Sequence, residues 1–226
     1  MAKPLHFLKK ERTVIHETSL PAVLFSIGHS NQSIETFLSL LHQHQLQVLV
    51  DVRSSPYSRH VPHFNSNHLS LAVQQTGIKY VFLGKKLGGR PDGDEFYDAD
   101  DYVLYDQMAT ASFFQEGLER IKNIGNRYKA ALLCSEENPA VCHRHLLIGR
   151  VLRQQGCHLM HIRGNGRLQT EEELASSNEQ SLWGEALAHH EEKAWKSIRP
   201  VLRKKQQISS LERSNKLASN GLSTFD

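Results

Sequence analysis

The chain has 226 residues, 39% of them hydrophobic, and 27 Lys+Arg against 24 Asp+Glu for a formal charge of +3. That is enough for one sizeable core but not for two full domains, and a charge so near balance permits an acidic or phosphorylated partner without requiring one. Three cysteines argue against a disulfide-stapled secreted fold, and no window approaches the eighteen or so apolar residues of a membrane span.

The first apolar run, VLFSI (23–27), is nearly continuous, as strands covered on both faces are. It leads into GHSNQS, where Gly28 allows a tight turn or close backbone approach, His29 can serve acid–base chemistry or contact a ligand, and Ser30 and Asn31 can hydrogen-bond. Ser33 can cap a helix carrying Ile34, Phe37, Leu38 and Leu41 at helical spacing. VLVDV (48–52) is the second strand. Asp51 inside it needs a partner, and Arg53 falls on the same strand face. The pair can hold a carboxylate for base or nucleophile work, or be an intrafold ion pair. The loop SSPYSRHVPHFN follows with Tyr57, Arg59, His60, His63 and Phe64, and aromatics interleaved with cations suit base stacking and phosphate contact.

Leu69, Ala72 and Val73 form a shorter helix, and YVFL (80–83) is the third strand. It ends in GKKLGGR (84–90), a flexible loop whose Lys85, Lys86 and Arg90 suit anions, although the phosphate-loop pattern is absent. Met108, Phe113, Phe114, Leu118, Ile121 and Ile124 mark one longer helix, AALLC (130–134) a fourth strand and HLMHI (158–162) a weaker fifth. Between the last two, Asn138 reads as an N-cap and Pro139 as the first residue of a buried helix.

Strand and helix thus alternate about five times. The expected fold is α/β: a mostly parallel sheet of about five strands with helices on both faces, in a single domain with a basic C-terminal extension. Residues 1–22 read as an N-terminal extension without an apolar leader, 23–163 as the domain, and 164–226 as a polar linker, short helices around 181–195 and a basic mobile tail. The expected location is cytoplasmic, with no membrane partner.

The strand exits hold the densest polar groups, where parallel α/β sheets bind ligands. The stretch CSEENPAVCHRHLLIGR (134–150) supports several chemistries. Cys134, Cys142, His143 and His145 are metal-ligand types, but their spacing is not that of a compact zinc knuckle, and only one histidine can readily join the cysteines. Cys142 at a helix start beside His143 and Arg144 suits a thiolate, but the cysteine-phosphatase arginine is replaced by Ile148. Helix-start N–H groups with His143 and Arg144 suit a phosphate or carboxylate, with Glu136 as an acid–base group beside it.

The blocks FSIGHSNQSIETF, LVDVRSSPYSRHVPHFN, YVFLGKKLGGRP and ALLCSEENPAVCHRHLLIGRVL, in this order, resemble the bacterial domain-of-unknown-function family 488 over about residues 23–163. The resemblance implies a compact α/β domain with these blocks as its characteristic residues, and no particular reaction. From the residues we expect a hydrolase acting on a phosphate-bearing nucleoside or nucleic acid, N-glycosidic cleavage included, without a cofactor or metal. Asp51, Glu136, His29 and Cys142 are the catalytic candidates. Ser30, Arg53, Tyr57, Arg59, Lys85, Arg90, His143 and Arg144 are the substrate-binding ones. The alternatives are a noncatalytic nucleic-acid or nucleotide module, a Cys142-centred thiol or sulfur-transfer enzyme, and a structural zinc domain.

Overall fold

A computed structural model describes residues 23–174, 176 and 195–201. The apolar runs form strands β1 (Val23–Gly28), β2 (Val48–Asp51), β3 (Lys79–Phe82), β4 (Ala130–Cys134) and β5 (His158–Ile162). These five are mutually parallel, and β6 (Leu168–Thr170) adds antiparallel to β5, giving the order β3-β2-β4-β1-β5-β6. In β1, β2 and β4 the runs are nearly continuous because both faces are covered. Leu24, Val48, Val50, Leu132 and Leu159 belong to one buried layer, and Phe25, Ile27, Leu49, Ala131, Leu133 and Ile162 to the other.

Helices α1 (Ile34–Gln43) and α2 (Ser66–Gln75) close the second layer with Phe37, Leu40, Leu41, Leu69 and Val73. Ser33 caps α1 as expected, its hydroxyl accepting the Thr36 N–H. The first layer is closed by α3 (Gly84–Leu87), α4 (Tyr105–Thr110), α5 (Ser112–Gly125) and α6 (Arg150–Gln154). GKKL, expected as loop, is thus a single helical turn because Leu87 is buried under it. The long helix expected from Met108 onward is two helices, broken where Ala111 turns extended (φ −67°, ψ 137°).

Two further expectations are corrected. The linker after residue 163 begins with β6, whose three polar-to-mixed residues are too few to show a periodicity. A turn closes this hairpin, with the Arg163 N–H donating to Arg167 O and Gly166 at φ 81°. Just past β6, the buried Glu171 holds it down: one carboxylate oxygen lies 2.7 Å from His145 Nδ1 and the other 2.7 Å from His161 Nε2. Ser26 Oγ, 2.6 Å from His161 Nδ1, completes a buried network that the sequence pattern did not reveal.

Within the expected basic tail, residues 195–201 are docked. Trp195 donates to Leu146 O and lies under the Arg150 guanidinium, Lys196 pairs with Asp98, and the Ser197 N–H donates to Val103 O. The rest of the tail, residues 181–194 of the helix expected around 181–195, and residues 1–22 lie outside the described residues. No helix among the described residues is long and apolar enough to cross a membrane.

Removing Glu171 would take away the buried carboxylate that His145 and His161 share. Glu171→Ala is expected to cost about 3 kcal/mol of unfolding free energy in urea denaturation, whereas the exposed neighbour Glu172→Ala should scarcely move the midpoint.

Candidate functional site

Strand register gathers the predicted residues at one edge. Gly28 lies opposite Cys134 and Asp51 opposite Leu133, so the exits of β1, β4 and β2 are adjacent at the carboxyl end of the sheet. Alternation along the strands then divides them. Asp51, level with Leu133, turns toward the α1/α2 layer, and Cys134 turns toward the layer of α5 and α6.

On the α5/α6 side, Cys134 Sγ lies 3.1 Å from Glu136 Oε2 and 3.6 Å from His143 Nδ1, and Cys142 Sγ lies 3.9 Å from the same nitrogen. The two sulfurs and one His143 nitrogen all fall within 4.8 Å of one another. His143 Nε2 is 3.2 Å from Val52 O, an acceptor only, so Nε2 carries a proton and Nδ1 is the nitrogen that faces the sulfurs. Gly89 packs against this ring, where a Cβ would come within 2.8 Å of His143 Cγ.

The local chain path explains this convergence and corrects the expected helix start. The Asn138 side chain accepts the Ala140 N–H, but the cap starts only a 3₁₀ turn, Pro139–Val141. Cys142 is extended (φ −122°, ψ 142°), and the helix begins after it as a π-helical segment, Arg144–Gly149, that runs into α6. Cys142 therefore sits before the helix rather than in its first turn. Its carbonyl accepts the His145 and Leu146 N–H groups, and its sulfur accepts the Arg144 N–H at 3.5 Å. These amides are spent within the chain, so the expected anion cradle is not open there.

Arg144 is fully buried, its guanidinium donating to the carbonyls of Glu136 and Glu137. Gly28 lets that turn pass, since a Cβ on it would lie 1.7 Å from Glu136 O. Arg144 thus shapes the turn from inside rather than facing a ligand.

On the α1/α2 side, Asp51 is wholly buried and saturated. Arg53 donates from its backbone N–H (3.1 Å), Nε (2.9 Å) and guanidinium NH2 (2.6 Å), and Tyr80 from its hydroxyl at 2.6 Å. Arg53 also donates to His29 Nε2 at 3.0 Å, while His29 Nδ1–H donates to Ser30 O at 2.7 Å and the ring stacks on Phe64. Asp51 and His29 therefore position Arg53. Ser30 holds a left-handed turn (φ 47°) that brings its N–H to Ser135 O, tying the β1 and β4 exits together.

The remaining cations stand outside this framework. Arg59, Lys85 and Arg90 are exposed, as is Tyr57 (68%). Arg90 N–H reaches Ser54 Oγ, while Lys86 is paired with Glu116.

Charge is distributed unevenly over the site. Of the two thiols, Cys134 is held well down by the hydrogen bond from Cys142 and by the His143 and Arg144 charges, whereas burial and the Cys134 charge push Cys142 up. Glu136 is exposed as a residue, but the packing of its carboxyl end beside Cys134, and then Cys134 itself, raise that carboxyl. His143 is raised against its burial, chiefly by Cys134 and then Glu136. Burial lowers His29 to about 4, assisted by the Arg53 charge.

Residues 33–151, just over half of the chain, match the family described as Domain of unknown function DUF488, and the chain belongs to that family. Neither a curated protein nor a solved structure matches it.

His29 is neutral in the fold, with a folded pKa near 4 against 6.5 when free. The folded state thus binds fewer protons than the unfolded one between these values, and stability present above pH 6.5 falls as the pH drops toward 4. Over that window the wild type should lose of order 3 kcal/mol more than His29→Gln, read from urea denaturation at each pH. Parallel curves would exclude His29 as the group responsible.

Proposed function

We propose that this member of the DUF488 family is a hydrolase acting on a phosphate-bearing nucleoside, free or within nucleic acid, with Glu136 as its acid–base group. One observation carries the proposal. Asp51 is held by Arg53 and Tyr80 and Glu137 by Arg163, whereas Glu136 is exposed at the strand exits beside the Cys134 thiol and has no ion pair among the described residues. A carboxylate free to take a proton from water and return it to a leaving group is the minimum that hydrolysis requires, N-glycosidic cleavage included. Exposed Arg59, Lys85 and Arg90 supply cations for phosphate, and exposed Tyr57 a face for a base. A base within duplex DNA would have to leave the stack to reach this edge.

A second reading, thiol chemistry, is favoured by the way His143 Nδ1 faces the two sulfurs. It makes Cys134 the reactive sulfur instead of Cys142, because His143 Nδ1 lies nearer to Cys134 and that thiol is the one held down.

Turnover of nucleoside phosphates and of oligonucleotides with normal and modified bases, followed by mass spectrometry, tests both readings. Glu136→Gln is expected to lower turnover at least about 100-fold with binding retained. Oligonucleotide binding with no turnover of any substrate would favour the noncatalytic module. A Glu136→Gln enzyme that remains active while Cys134→Ser is dead would transfer the chemistry to sulfur.

A further inference from the structure

We infer that Cys134, Cys142 and His143 hold a divalent metal ion of the zinc class, with Glu136 beside its open position; the role given to Glu136 rests on the hydrolase proposed above. The donors stand at the two ends of the turn that follows β4, two sulfurs and one imidazole nitrogen within 4.8 Å of one another. Zinc bound tetrahedrally at about 2.3 Å to sulfur and about 2.0–2.1 Å to nitrogen requires sulfur–nitrogen separations of about 3.5 Å. The separations here are 3.6 and 3.9 Å.

The surroundings are those of a metal-binding imidazole. His143 gives its Nε2 proton to a backbone carbonyl, Val52 O, which leaves Nδ1 as the donor. Gly89 packs on the ring, and the Arg144 N–H orients the Cys142 sulfur. The eight-residue separation of the cysteines differs from a zinc knuckle because the first donor ends a strand and the others follow a 3₁₀ turn.

The other cluster of ligand types differs in kind. Glu171 places one oxygen on His145 and the other on His161, each at 2.7 Å, and Ser26 occupies the second His161 nitrogen. That set is closed by its own hydrogen bonds and has a structural role.

Three protein ligands leave a fourth position for water, as in hydrolytic zinc sites. The Glu136 carboxylate, 3.1 Å from Cys134 Sγ, is at hand to receive that water's proton. The resulting hydroxide adds to the electrophilic carbon, and Glu136 returns the proton to the leaving group as its bond to that carbon breaks. One water is consumed and no electrons change hands. Two cysteines, one histidine and a nonligating glutamate form the same division of labour that zinc enzymes use to hydrolyse nucleobases.

The test is cobalt(II) reconstitution of the reduced, chelator-treated full chain, with zinc content measured before treatment. One equivalent should bind, giving tetrahedral ligand-field bands and sulfur-to-cobalt charge transfer. Cys134→Ser, Cys142→Ser and His143→Gln should each weaken binding at least about 10-fold, whereas Glu136→Gln and His161→Gln should still take up one equivalent. Should a cysteine variant fail to fold, the wild-type charge-transfer band and His143→Gln decide. Absence of that band in the wild type, or uptake unchanged in His143→Gln, overturns the inference. Stoichiometric cobalt with no turnover of any substrate would leave the metal site standing and sink the hydrolase. Chelator-resistant turnover by metal-free protein would do the reverse.

Discussion

The candidate site depends on one buried cation. Arg144 grips the carbonyls of Glu136 and Glu137 where their turn crosses Gly28. A fully buried guanidinium is tolerable only if its charge is answered, and here carbonyl dipoles answer it at the two terminal nitrogens, while Nε has no hydrogen-bond partner among the described residues. That grip fixes where the chain goes after β4. It thereby sets how far Cys134, at the strand end, lies from Cys142 and His143 on the return, and where Glu136 meets solvent.

A second buried cation acts across the same edge. Arg53 is bound by Asp51 below and His29 beside it, with Tyr80 closing the carboxylate. Breaking such a pair by removing one partner leaves an uncompensated charge, which makes this assembly a rigid wall of the site. The two clusters face different layers of the sheet but share its edge, where the exits of β1, β4 and β2 lie side by side. Rigid charged groups thus flank a turn that carries the more exposed, less committed ones.

The histidines show how environment assigns chemistry to a single residue type. His29 is kept neutral by burial and a neighbouring arginine, while His143 is drawn toward the charged form by Cys134 and Glu136. His161 is lowered by burial although it shares Glu171 with His145. His143 and His145, two apart in sequence, end in separate clusters because each points to its own side of the π-helical segment.

Much of the fold was legible because its signals are local. Continuous apolar runs marked the parallel strands, Ser33 marked the start of α1, and the two-residue spacing of Asp51 and Arg53 predicted their pairing. The sequence by itself therefore determined the α/β class and the edge at which polar residues collect. It did not determine β6, the break at Ala111, or the His145–Glu171–His161 network, whose signals are too short or lie too far apart in the chain. Only the tertiary structure decided which polar groups are spent and which remain. Whether Arg144 faces a ligand or its own backbone, and whether Cys134 meets His143, follows from the β1–β4 register and the path of the turn over Gly28, which bring together residues that no sequence periodicity connects.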